Sequence, residues 1–265
     1  MSLGVAIKGS EGIVLAADSR VTLGAQHEGG PRFVVNFDNA TKLLTFSGDE
    51  NKYIGAVTYG AAVIGLRTAH SYIPEFEVSL GAGNRPTVLK FSKRLSDFFL
   101  QRWNEEMPKD YSGPGMTFLI GGFDPKDAYG KVFIVEIPGH PAPIQRNPGD
   151  KDFGMTWGGQ LQTVSRLIHG YDPMVPEILR RRFELNKKQV KELVDTLRKQ
   201  TEFQIPYQVL PLQDCVNLAI FLIRTTMSAQ QLAVAVRGVG GMIEVATITR
   251  TDGLRIVQTK EIHGE

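Results

Sequence analysis

The sequence predicts an α+β fold in one domain spanning residues 1–265, and three observations predict it. Apolar runs follow the order strands, two helices, strands, helices, strands, and such segregation argues for layered elements over βαβ winding. Strand-like runs such as IVLAA and FLIGG show little polar alternation, which suggests sheets covered on both faces. No linker of the usual kind divides the chain. Two stacked sheets with a helical layer outside each meet all three demands.

Taken in order, LGVAIK (3–8) and GIVLAAD (12–18) read as a hairpin around the turn GSE, and the Gly-rich stretch 23–31 reads as a loop. TKLLTF (41–46) and YIGAVTYG (53–60) form a second strand pair around SGDEN. Residues 61–76 carry helical spacing that Pro74 ends or kinks. A second helix runs from Pro86 to about Met107, where Val88, Leu89, Phe91, Leu95, Phe98, Phe99 and Trp103 keep roughly 3.6-residue spacing. MTFLIGGF (116–123) and GKVFIVEIP (130–138) give a third hairpin, followed by a loop and a short strand near FGMTW. A helix is expected at about 159–169, broken by GYDP, and 173–200 is charged and helical. The segment 173–209 adds helix without strand and reads as an insertion. An apolar helix at 212–230 and a hairpin of 241–250 with 254–259, around TDG, complete the chain.

Composition narrows the function classes. A hydrophobic fraction of 42% and a charged fraction of 22% are ordinary globular values. The net charge of +2 implies no strong pull on nucleic acid or anionic membrane. One cysteine, Cys215, excludes an intramolecular disulfide and fits a reducing compartment. No run approaches the roughly 20 apolar residues of a membrane span, and the start lacks the basic and apolar regions of a signal peptide. The expectation is a cytoplasmic protein. His27, His70, His140, His169 and His263 show no metal-ligand spacing, and neither a GxGxxG nor a P-loop motif is present, so no metal or cofactor is expected. Arg180, Arg181 and Arg182 read as a solvated face or subunit contact, and Trp103 and Trp157 as core or interface residues.

The chemistry is concentrated near the start, MSLGVAIKGSEGIVLAADSRVT. A Met followed by a small residue is the kind of start from which the initiator is trimmed. Trimming would leave Ser2 with a hydroxyl and a free α-amine, whose unperturbed pKa of about 7.7–8.0 suits a general base near neutrality. An amine base beside a hydroxyl nucleophile is a recognised route to covalent catalysis. Asp18 follows at the end of an apolar strand. On the residues alone, Asp18 also suits a turn, Lys42 a solvated strand edge, Gly60 a helix start, and Ser19 and Thr22 turn formation.

Three motifs in order, LAADSRVT (15–22), ATKLLTF with Lys42, and TYGAA with Gly60, resemble the proteasome β-subunit family of N-terminal nucleophile hydrolases. The interval from Ser2 to Asp18 matches the family spacing, and the resemblance covers about residues 2–66. It implies a four-layer αββα sandwich, Ser2 as nucleophile with its α-amine as base, Lys42 holding positive charge near the hydroxyl, Asp18 pairing with Lys42, and the Gly60 N–H facing the oxyanion. Ser19 and Thr22 would bind substrate through backbone groups, with Val21, Leu44, Thr58 and Ala62 around a small apolar specificity pocket. The implied protein is a self-compartmentalising peptidase acting on unfolded polypeptide, assembled into a homo-oligomeric hexameric, heptameric or double ring, with room for a regulatory ATPase. The alternatives on the same scaffold are a non-catalytic ring subunit and an amidase or acyl transferase.

The chain departs from the family pattern in several places. The nucleophile is Ser where Thr is usual, and the segment between Asp18 and Lys42 is longer. VRGVGGMIEV offers Arg237 and Val239 where an acid and a hydroxyl are expected, and MTWGGQ (155–160) stands where a Gly-Ser-Gly motif would support the nucleophile.

Overall fold

Alternation along β1 (Leu3–Lys8) explains the unbroken apolar runs: Leu3, Val5 and Ile7 enter one apolar cluster, whereas Ala6 enters another on the opposite face. In the computed structural model, which describes residues 2–26, 32–81, 83–234 and 236–261, the same holds for β2 (Ile13–Asp18). A strand buried on both faces has no use for polar alternation. Met1, His27 and His263 lie outside the described residues.

The architecture is α+β, with two five-stranded antiparallel sheets and six α-helices among the described residues. The first sheet runs β10-β1-β2-β11-β12, with β10 at Gly154–Gly159, β11 at Ile243–Thr249 and β12 at Gly253–Gln258. The second runs β5-β6-β7-β8-β9, comprising Leu43–Thr45, Ile54–Gly60, Met116–Gly122, Lys131–Ile137 and His140–Arg146. The sheets meet across Ala6, Leu15, Val57, Leu119 and Ala246. Helix α2 (Val88–Glu106) packs on β7, β8 and β9 through Phe91, Leu95 and Phe99. Helix α6 (Leu212–Leu232) packs on β1, β2 and β11 and against α3 (Gln162–His169) through Cys215, Ala219, Leu222 and Ile223. No helix among the described residues is long and apolar enough to cross a membrane.

The expected hairpins 3–8 with 12–18, 41–46 with 53–60, 116–123 with 130–138, and the last two strands all form; β1 keeps its expected bounds, the last strand is shifted by one residue, and the others are shorter. Three expectations need correction. The stretch read as a loop at 23–31 contributes instead to β3 (Val21–Gln26), which pairs with β4 (Arg32–Phe37) in a separate two-stranded sheet. The RFVVNF run is β-branched and aromatic, which suits a strand, and the ladder runs from Val21 opposite Phe37 to Gln26 opposite Arg32. The helix expected at 61–76 is displaced: α1 occupies Ile73–Leu80, with Pro74 in its first turn. A first-turn proline gives up an N–H that has no intrahelical partner, so Pro74 starts the helix instead of ending it. The loop after β8 contains β9, whose Pro141 and Pro143 fit because β9 pairs with β8 alone. The stretch 173–200 is helical as expected, in two pieces, α4 (Val175–Arg182) and α5 (Lys187–Thr201), the second opened by an Asn186 capping box. Neither α4 nor α5 has a buried residue, and they pack on each other. Arg180 and Arg181 pair with Glu177 on this solvated surface.

Candidate active site

β1 and β2 run antiparallel with Gly4 opposite Ala17, which sets the end of β2 beside the start of β1. The Leu3 N–H donates to Asp18 Oδ1 at 2.9 Å. The other oxygen, Oδ2, accepts the N–H of Gly240 at 3.0 Å and of Arg20 at 3.2 Å. Asp18 is fully buried, and these three backbone donors hold its carboxylate in one orientation.

Lys42 lies just before β5 and turns inward, 5% exposed. Its ammonium donates to Asp18 Oδ1 at 2.9 Å, to Ser2 Oγ at 2.9 Å, and to the Arg20 carbonyl. All three ammonium protons are thereby engaged. Burial pushes Lys42 below the ordinary lysine pKa, opposed by the charges of Asp18 and Glu244. Replacing either member of this buried pair would strand the other's charge.

Ser2 is also buried, and its carbonyl accepts the Gln160 N–H at 2.8 Å. That contact depends on Gly159, whose φ of +91° and missing Cβ let the chain pass against the Ser2 carbonyl. Gly60 has φ +97°, and a Cβ there would fall 2.2 Å from the Gly115 carbonyl. The Thr58 N–H bonds the Lys42 carbonyl, and the Ala61 N–H bonds Gly115 on the opposite side. By strand alternation the Gly60 N–H therefore faces the Lys42 side, where β5 has not yet begun.

The structure thus brings Ser2, Asp18 and Lys42 into one hydrogen-bonded group. Val21, Thr58 and Ala62 line a pocket beside Ser2, along with Ala40, Thr41 and Thr68. Thr22 lines a neighbouring cleft with Gly60 and Ala62, and its hydroxyl donates to Asn36. Two expected contacts lie elsewhere. Leu44 is fully buried in the core under α1 and α2, because alternation along β5 turns Leu43 toward the opposite sheet and Leu44 away. Ser19, expected to offer backbone groups to substrate, is also fully buried: its N–H donates to the Gly240 carbonyl at 3.1 Å, its carbonyl accepts the Ala40 N–H at 2.9 Å, and its Oγ lies 2.7 Å from the Asp38 carbonyl and 2.8 Å from the Met242 carbonyl.

Several supporting residues escaped sequence reasoning. Arg20 clamps Asp38 through two nitrogens, and the pairing holds the Asp38 carboxyl below its usual range. Arg20 also reaches the Arg237 carbonyl, joining the turn after β2 to the approach to β11. Glu244, 2% exposed, accepts the Lys42 and Leu43 N–H groups on Oε2, at 3.1 and 3.4 Å, and Lys260 Nζ on Oε1 at 3.2 Å. An acid inside the apolar run MIEVAT was the available signal. VRGVGG contributes backbone where side chains were sought: Gly240 bonds Asp18 and its carbonyl accepts the Ser19 N–H. Among the described residues no cluster of His, Cys, Asp and Glu could hold a metal ion.

With Lys42 donating to the Ser2 hydroxyl, the ammonium can stabilise an alkoxide there but has no lone pair to take the proton. The geometry is therefore an electrostatically assisted hydroxyl that requires a separate base. Comparison of the chain with protein-family models and with curated proteins finds no match to either.

Proposed function

We propose that this chain is a proteasome β-type N-terminal nucleophile hydrolase, a peptidase built on the four-layer αββα sandwich and using Ser2 as its nucleophile. The observation that carries the reading is the contact of Ser2 Oγ with the Lys42 ammonium at 2.9 Å, backed by the buried Asp18. The two sheets with α2 outside one and α6 outside the other support the proposed architecture.

Removal of Met1 frees the Ser2 amine, which takes the hydroxyl proton directly or through water. The Ser2 oxygen bonds the acyl carbon of a peptide, and the carbonyl electrons move onto oxygen, where the Gly60 N–H donates. The intermediate collapses with cleavage of the C–N bond, and the amine proton passes to the leaving nitrogen. Water then attacks the ester, returns a proton to the Ser2 oxygen and releases the acid. Losing one oxyanion donor typically costs about 10²–10³ in rate. On the family resemblance the working form is a homo-oligomeric ring that confines these sites and admits unfolded polypeptide.

A second reading, in which neutral Lys42 is itself the base, is favoured by its depressed pKa and needs no free amine. The test is labelling of the purified protein by a peptide vinyl sulfone or epoxyketone, with intact mass read in parallel. The proposal expects a species lacking Met1 to take up one probe molecule, and Ser2→Ala to take up none. Labelling of a Met1-bearing species would transfer the base role to Lys42. Equal labelling of wild type and Ser2→Ala would overturn both readings.

A further inference from the structure

The free edge of β10, opposite the one paired with β1, borders a cleft of about 310 Å³. The Gln160 N–H bonds the Ser2 carbonyl, so positions 158, 156 and 154, in register with Gly4, Ala6 and Lys8, form the hydrogen-bonded pairs with β1. The N–H and C=O groups of Met155 and Trp157 therefore point outward, and no other segment of the described chain bonds to them.

Exposed edges are normally blunted by proline, charge or a bulge. β9, at the edge of the other sheet, carries Pro141 and Pro143, whereas β10 reads GMTWGG, with no proline, no charge and an unbroken register. The cleft beside it is lined by Arg146, Arg198, His169, Ser165, Thr156 and Trp157, with no carboxylate in the lining. The Arg146 side chain makes no ion pair or hydrogen bond among the described residues, its backbone lying in the β8–β9 ladder. Arg198 is 50% exposed and reaches only Glu202 at the rim, 3.3 Å away; Glu202 also lies 3.4 Å from His169. The Trp157 indole N–H is buried without an acceptor.

We propose that the β10 edge binds an extended, acidic peptide segment of another protein, which adds to the first sheet as a further strand and sets a carboxylate side chain against Arg146 and Arg198. A small anion would satisfy the arginines but leave the outward backbone groups of Met155 and Trp157 unpaired. A strand supplies alternating donors and acceptors to that edge, with side chains directed into the cationic cleft.

The test uses the full-length protein and the capped peptide acetyl-Glu-Val-Glu-Val-Glu-amide, titrated against tryptophan emission, with Trp157→Phe assigning the signal to this cleft. Saturable binding is expected, at least tenfold weaker for the Gln-for-Glu peptide and for the Arg146→Gln/Arg198→Gln variant, with circular dichroism confirming that the variant folds. Two further peptides carry N-methyl groups on alternate residues, in the two complementary sets. One set should abolish binding and the other should not, because only alternate amides face the edge. Retained affinity in both methylated peptides, equal binding of the Glu and Gln peptides, or the same response to free glutamate at matched carboxylate concentration would each overturn the proposal. None of these outcomes depends on whether Ser2 is a nucleophile.

Discussion

Gly159 passes so close to Ser2 that a Cβ on it would lie 1.9 Å from the Ser2 carbonyl oxygen. Gly159→Ala is therefore expected to break the anchor that aims Ser2. A non-glycine residue at this positive φ costs about 1–3 kcal/mol before the clash is counted. Calorimetry should show the lowered melting temperature, and probe labelling at Ser2 should slow more than tenfold. Undiminished labelling would show that the carbonyl anchor does not set the hydroxyl's position.

Asp18→Asn keeps the shape of the side chain but removes the charge that faces Lys42. Breaking a buried pair costs about 3–5 kcal/mol. The Lys42 ammonium, already disfavoured by burial, should then lose its proton at lower pH than in wild type. Denaturant melts and the pH profile of labelling measure the two effects. A profile unshifted in Asp18→Asn would argue against coupling between them.

The labelling rate should rise as the Ser2 amine loses its proton, near the unperturbed range of about 7.7–8.0. It should fall again as Lys42 deprotonates, below the ordinary lysine value of 10.5. Stability has the opposite alkaline trend. Below the depressed folded pKa, Lys42 is charged in both states and the full burial cost is present. Between that value and 10.5 the unfolded chain binds more protons, so wild type should gain stability relative to Lys42→Met as pH rises. Melts of both proteins across this window check the sign.

Glu244→Ala should leave the Lys42 and Leu43 N–H groups without their acceptor and Lys260 without its carboxylate. Each abandoned buried donor costs about 1–3 kcal/mol. Because Glu244 acts on the backbone of Lys42, Glu244→Gln should recover part of both stability and labelling rate. Failure of Gln to rescue either would assign the role to charge instead of to N–H acceptance.

The sheets were legible because apolar runs on both sides of tight turns demand pairing, and IVLAAD and MTFLIGG could be placed with little ambiguity. Ser2 was legible as a candidate from a hydroxyl and an α-amine that trimming would place on one residue, whereas Asp18 and Lys42 gained their roles from the three motifs of the family resemblance. The β3–β4 pair and β9 were not, since the Gly and Pro content of these stretches mimics a loop. Ser19 and Leu44 show the limit at single residues. The family resemblance placed them at the site, but the turn engages the backbone N–H and carbonyl of Ser19, and strand alternation sends the Leu44 side chain into the core. The contributions of Gly159, Gly240 and Glu244 depend on contacts across the fold, which no local pattern carries.

The Gly240 contact also has a temporal side. Asp18 receives one of its three amide donors from a segment 222 residues further along the chain. During synthesis, β1 and β2 leave the ribosome long before β11 exists, so a nascent chain carries the serine without the finished electrostatic cage around Lys42. On the proposed mechanism, full reactivity would be withheld until the last hairpin docks, and a partly made chain would have little means of attacking itself or its neighbours.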